Sequence, residues 1–351
     1  MELERRANGG DRAKSAGRVD SPPVSGFHRV LVCLDRSESA EAVLPLATYL
    51  ARLDHAPMTL LHVLEGLPDG AAVRATDAIE WEVARHEARS YLDSLSERAV
   101  ELGVDAQCQI AEGSAAHAVA ASAAELDADL LVLSTFGESG PDAWSLGGTA
   151  QKILALGRAA MLVVPPHDRR PVPHVPPRRI LVPLDGSLRG ESVLPTAIRL
   201  ARADRSEIVL GHVVPAPVRT EVLSTPDDLA LAHDLADRMA ARASAYLDRI
   251  RSQLVAAGVR TSASVSHAAD HREGLVALAA AERVDLIVMS AHGSVCNPRR
   301  PFGSVTSHVI AHSTAPVLVI QDLPDRTSRT TAAPPPSLLP PRSVDAALGG
   351  A

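Results

Sequence analysis

The chain runs one structural programme twice. HRVLVCLDRS (residues 28–37) is answered by RRILVPLDGS (178–187), which sets Asp35 opposite Asp185. The echo continues in register: Val43-Leu44-Pro45 with Val193-Leu194-Pro195, His62-Val63 with His212-Val213, Tyr91-Leu92 with Tyr246-Leu247, and Gly103 with Gly258. Each copy closes on a short apolar run, LGRAAMLVVPP (156–166) and AHSTAPVLVIQ (311–321). The chain is therefore a duplicated βα unit and not one large domain. At 351 residues the chain accommodates two such units.

Within each copy, short runs rich in Val and Leu alternate with stretches of helical spacing. In the first copy strands are expected at His28–Leu34, Met58–Leu64, near 105–110, at Leu130–Ser134 and at Ala160–Val164. Helices are expected over 38–54 with Ser37 as N-cap, 77–103 ending at Gly103, 114–127 and 147–157. Near-continuous apolar strands separated by helices imply parallel sheets covered on both faces. The domains are set at 27–165 and 178–321. Between them 166–177 is a proline-rich linker, and 1–26 and 322–351 are low-complexity tails expected to be disordered.

Composition removes several classes of function. A net charge of −7 and an aromatic content of 2% argue against general nucleic-acid binding. Cys33, Cys108 and Cys296 are odd in number and lack CxxC spacing, so neither a disulfide framework nor a zinc site is indicated. Cys33 and Cys108 are expected in the core and Cys296 in a loop. No apolar run approaches the ~18 residues that span a bilayer, and residues 1–26 carry no apolar signal region, so a cytoplasmic location is expected.

The chemistry concentrates in VDLIVMSAHGSVCNPRRPFGSV (284–305), where an apolar run ends at Ser290-Ala291-His292-Gly293 and Gly303-Ser304 opens a helical pattern. A strand, a glycine-hinged loop and a helix N-terminus aim main-chain N–H groups and the positive end of a helix dipole at one spot, which suits an anion. ADLLVLSTFGESGPDAWSLGGTA (128–150) repeats the phrase, with Gly137 and Gly147 spaced as Gly293 and Gly303 are. In parallel sheets ligands bind beyond the carboxyl ends of strands where the strand order reverses. Asp35 and Asp185 end first strands and the loops end fourth strands, which are neighbouring positions if the order reverses between strands 1 and 4. His292 is read as a partly exposed loop residue, Arg299 and Arg300 as solvated loop charges, and His62 and His212 as packing residues with no metal role.

On these motifs the chain resembles the universal stress protein family in its tandem two-domain form. The family's nucleotide motif is Gly-x2-Gly-x9-Gly-Ser/Thr after strand 4, accompanied by an Asp ending strand 1. The resemblance implies two tandem five-stranded parallel-sheet domains, order 3-2-1-4-5, with helices on both faces. It also implies binding of ATP, with or without Mg2+. Carried over, Asp185 meets the adenine-ribose portion and Val213 the adenine through its backbone. Ser290, Ala291, His292, Gly293, Gly303, Ser304 and Val305 surround the phosphates. The matching positions of the first copy are Asp35, Val63, Ser134, Gly137, Gly147, Gly148 and Thr149.

Two departures stand out. Ser134 and Ser290 replace the first motif glycine, and Gly148 stands where the family has Ser or Thr. The second domain is therefore expected to be the better ATP site. The family also implies edge-to-edge pairing of the fifth strands, giving a pseudo-symmetric chain able to form a homodimer and to act on an unidentified regulatory protein. No nucleophile–base constellation appears, so no enzyme is expected; a stress-response regulator is what the resemblance implies. The alternative is a structural or interaction module with degenerate pockets. An adenylating synthase is disfavoured, because LDRSES and LDGSLR lack an SGG-type loop after strand 1.

Overall fold

The structure, a computed structural model, describes residues 26–65, 75–135, 150–153, 159–166, 175–217, 225–294 and 301–321. The first half contains β1 (Val30–Leu34), α1 (Glu38–Glu41), α2 (Leu44–Asp54), β2 (Met58–Leu64), α3 (Ala75–Glu101), β3 (Ala106–Glu112), α4 (Ala115–Glu125), β4 (Leu130–Ser134) and β5 (Ala160–Val164). The second contains β6 (Arg179–Pro183), α5 (Leu188–Glu191), α6 (Leu194–Asp204), β7 (Glu207–Pro215), α7 (Pro226–Ala256), β8 (Thr261–Ala268), α8 (His271–Ala281), β9 (Leu286–Ser290), α9 (Ser304–His312) and β10 (Val317–Ile320).

Each half has the expected order, β3-β2-β1-β4-β5 and β8-β7-β6-β9-β10, and the two join into one ten-stranded sheet. All pairings are parallel except the junction, where β5 and β10 run antiparallel with Val317 opposite Val163, Leu318 opposite Leu162 and Val319 opposite Met161. Pairing covers two edges that would otherwise show bare N–H and C=O groups.

Alternating strand residues feed two apolar layers. Val30, Val32, Leu60, Val182, Leu210 and Val288 pack with α2, α3, α6 and α7 residues such as Leu50, Leu92, Leu200 and Leu247. Leu31, Leu61, Leu131, Leu181, Val209 and Val319 pack on the other face with Val119 of α4, Leu278 of α8 and Val309 of α9. Both layers draw on both halves, so the core runs through the junction.

One expectation needs correcting. The helix expected over 38–54 is two helices, because Pro45 has no N–H to donate and lies at the start of α2. Pro195 splits α5 from α6 in the same way. Ser37 is the N-cap of α1 as expected, accepting from Ala40 N at 3.0 Å.

A carboxylate fixes the entry to each half. Asp129 accepts from the amides of His28 and Arg29 at 2.8–2.9 Å, and Asp285 from those of Arg178 and Arg179 at 2.8 and 2.9 Å. Across the junction α2 and α6 exchange two contacts through equivalent positions. Tyr49 Oη donates to Asp204 at 2.6 Å, and Arg199 pairs with Asp54, whose other oxygen accepts from Phe27 N at 2.8 Å. The Arg199 guanidinium also lies 5.4 Å from the Phe27 ring centre. Burial, then the Asp204 carboxylate, push the Tyr49 hydroxyl well above the usual phenol range.

Candidate functional site

The site of the second half is built from the carboxyl ends of β6, β7 and β9. Leu184 N donates to Gly211 O at 2.8 Å, the last ladder contact of β6 with β7. Gly211 thus turns its main-chain groups toward β6. Main-chain direction alternates along a strand, so Val213 turns its own N–H and C=O to the same side, past the point where β6 stops. Val63 occupies the same position beyond β1, since Leu64 O faces β3 in accepting from Gly113 N. His212 Nδ1 donates to Leu184 O at 2.6 Å and His62 Nδ1 to Leu34 O at 2.8 Å, holding each second strand against the end of the first.

Asp185 follows directly. One oxygen accepts from Ser187 N at 3.0 Å and Ser187 Oγ at 2.6 Å, and the other from Ser294 N at 2.6 Å. The carboxylate therefore ties the loop after β6 to the loop after β9. Burial pushes its pKa up, but the Ser187 hydroxyl and the Ser187 and Ser294 amides prevail and hold it below the usual carboxylate range. A folded-state value below the unfolded one makes this stability fully present above the unfolded pKa of about 3.9. It is lost as pH falls through the lower folded value. Asp185→Asn is thus expected to unfold at lower urea than the parent at pH 6, with the gap closing as pH drops below about 4.

Gly293 sits against this carboxylate; a Cβ there would lie 2.4 Å from Asp185 Oδ2. The loop then returns to α9, where Gly303 N donates to Ala291 O at 2.8 Å and Thr306 Oγ1 to Ser290 O at 3.0 Å. Gly303 is the N-cap of α9 and supplies no side-chain acceptor, so the first-turn amides of Ser304, Val305 and Thr306 have no partner within the helix. They are donors that an acceptor at this end of the helix could engage. Gly303's own amide is consumed by Ala291.

Asp185, Val213, Gly293, Gly303, Ser304 and Val305 are brought together. Ser290 turns inward, its Oγ donating to His292 O at 2.7 Å, and Ala291 is buried. His292 departs from the expected partly exposed loop position: it is 1% exposed, with its main chain close against Gly303 at the start of α9. Cys296, Arg299 and Arg300 lie outside the described residues. Ser187, Ser294 and Thr306 were missed by sequence reasoning. Ser187 had a visible signal, since Asp-x-Ser recurs at Asp35-Arg36-Ser37 and Asp185-Gly186-Ser187.

In the first half Asp35 accepts from Ser37 N at 3.1 Å and Ser37 Oγ at 2.7 Å, repeating the Asp185 turn. The middle residue is left-handed in both turns, φ 82° at Gly186 but 70° at Arg36, which bears a Cβ. Among the described residues, the buried hydroxyls of Ser134 and Thr135 have no hydrogen-bond partner. Gly137, Gly147, Gly148 and Thr149 lie outside the described residues. Among the described residues no cluster of His, Cys, Asp and Glu could hold a metal ion, and no helix is long and apolar enough to cross a membrane.

A doubly wound parallel sheet with an Asp, two loop glycines and a helix N-terminus gathered at its switch point defines the class as an open α/β fold. The profile of the Universal stress protein family matches residues 26–165 and again 177–321, and the chain belongs to that family in tandem form. Universal stress protein YxiE of Bacillus subtilis is 29% identical over 147 residues, 39% of this chain and 99% of its own length. A universal stress protein from Archaeoglobus fulgidus superposes on 85% of this chain and 97% of its own with a TM-score of 0.60 at 15% identity. A universal stress protein in complex with cAMP matches 40% of this chain and 98% of its own at 21% identity, TM-score 0.31.

Proposed function

We propose that this chain is an adenine-nucleotide-binding regulator of the stress response, with ATP as its ligand and the second half as the better site. The observation that carries the reading is the convergence at one switch point of the Val213 main chain, the Asp185 carboxylate and the first-turn amides of α9. Val213 supplies a donor and an acceptor for a base edge. Asp185, held ionised, has lone pairs to spare for a ribose hydroxyl. The amides of Ser304, Val305 and Thr306 suit phosphate oxygens. Gly293 keeps the loop against Asp185 where any Cβ would part them. The first half offers the same Asp turn, but Gly148 removes a phosphate-facing hydroxyl, a loss of about 0.5–1.5 kcal/mol.

The role is binding and release, with regulation of a partner protein as output and no turnover beyond slow hydrolysis. The reading as a ligandless interaction module draws on one observation, that Gly303 N and Ser294 N are already satisfied within the protein. Purification without added nucleotide, denaturation, and chromatography of the released small molecules tests the first reading against the second. Calorimetric titration of the full chain with ATP, ADP and cAMP should give saturable binding with ATP tightest. Absence of both co-purified nucleotide and titratable heat would select the module.

A further inference from the structure

The ten-stranded sheet ends in β3 on one side and β8 on the other, and these two edges differ. β8 is TSASVSHA, eight residues without a charge or a proline. Ile208 N donates to Arg260 O and Ala216 N to Ala268 O, so Arg260, Ser262, Ser264, Ser266 and Ala268 turn their main-chain groups to β7. By alternation Thr261, Ala263, Val265 and His267 turn theirs outward. No described strand pairs with that edge. Natural sheets usually protect such an edge with charge, proline, a bulge or a short strand, and β8 has no charge or proline and is long.

β3 is guarded by comparison. Gly113 N donates to Leu64 O, which puts Glu112 in the outward row of β3, where it is ion-paired with Arg85 of α3. The position before β3 is Asp105, whereas its counterpart before β8 is Arg260. Two β3 strands meeting antiparallel would bring Asp105 beside a second Glu112.

We propose that β8 is a self-association edge at which two copies of this chain pair antiparallel about a two-fold axis at Ser264. In that register Thr261 faces the second copy's His267, Ala263 its Val265, Ser262 its Ser266, and Ser264 its own equivalent. No charge opposes a like charge, and small side chains oppose one another along the seam. Arg260 falls diagonally across from the second copy's Asp270, whose carboxylate also pairs with that copy's Arg272. The junction of β5 and β10 already uses antiparallel edge pairing inside the chain. With β3 guarded, growth stops at a closed pair, because an isologous contact satisfies both partners at once. The pairing does not depend on nucleotide binding.

The full chain is tested by sedimentation at high micromolar concentration and by oxidative cross-linking. The parent should approach twice 36.9 kDa. Ala263→Pro removes an outward N–H at an exposed residue and should weaken association by about tenfold or more. Ser264 and its counterpart form a non-hydrogen-bonded pair with Cα atoms about 4.5 Å apart, within disulfide reach. Ser264→Cys should therefore give a reducible covalent dimer, while Ser262→Cys and the parent with its native cysteines should not. A parent that stays monomeric throughout overturns the proposal. So does cross-linking of Ser264→Cys no greater than that of Ser262→Cys, whether or not Ala263→Pro folds.

Discussion

Gly293→Ala is expected to abolish the rise in melting temperature that the proposed ATP binding gives the parent chain. The new Cβ would stand 2.4 Å from Asp185 Oδ2, so either the carboxylate or the loop must move. The carboxylate is held by the Ser187 amide and hydroxyl, which leaves the loop to move and breaks the Ser294 N contact at 2.6 Å. A hydrogen bond to a charged group contributes about 1.5–3 kcal/mol, and the unliganded variant should lose an amount in that range. At ATP one hundred times its dissociation constant the parent gains about 2.7 kcal/mol, and the variant should gain almost none. Gly137→Ala in the first half should keep most of the shift. Thermal scans with and without ATP on both variants decide the matter. An unchanged shift in Gly293→Ala with a lost shift in Gly137→Ala would reverse the ranking of the halves.

Asp54→Ala is expected to destabilise the whole chain by about 3 kcal/mol, the scale for breaking a buried ion pair from one side. The Asp54 side chain is 5% exposed and its Arg199 partner 18%, and Asp54 also accepts from Phe27 N. Removing the carboxylate leaves a guanidinium with its charge uncompensated and an amide without its acceptor. Replacing both partners with leucine, Asp54→Leu with Arg199→Leu, should recover most of the loss, because burying apolar groups carries no such desolvation cost. Urea unfolding followed at far-ultraviolet wavelengths measures both. Tyr49→Phe, which removes the hydroxyl contact with Asp204, should cost less, about 1 kcal/mol.

Sequence alone carried the architecture because its signals were local and doubled. Strands such as Val30–Leu34 and Leu286–Ser290 are continuous apolar runs, and every core strand had a counterpart in the other copy. Asp35 and Asp185 were legible for the same reason. What escaped depends on contacts between residues far apart in the chain. The Arg199–Asp54 pair joins positions 145 apart and exists only because β5 meets β10. The capture of Gly303 N by Ala291 O, and the burial of His292 beside it, join residues twelve and eleven positions apart, which spacing alone does not place in contact. The break between α1 and α2 was within reach, since Pro45 and Pro195 recur at the same place and neither has an N–H to donate.

Because β5 and β10 run in opposite directions, the carboxyl ends of the first half's strands and those of the second open toward opposite rims of the slab. A protein that docks over Asp35 is held well away from one that docks over Asp185. Whatever enters beside Asp35 must therefore come from the rim opposite to whatever enters beside Asp185.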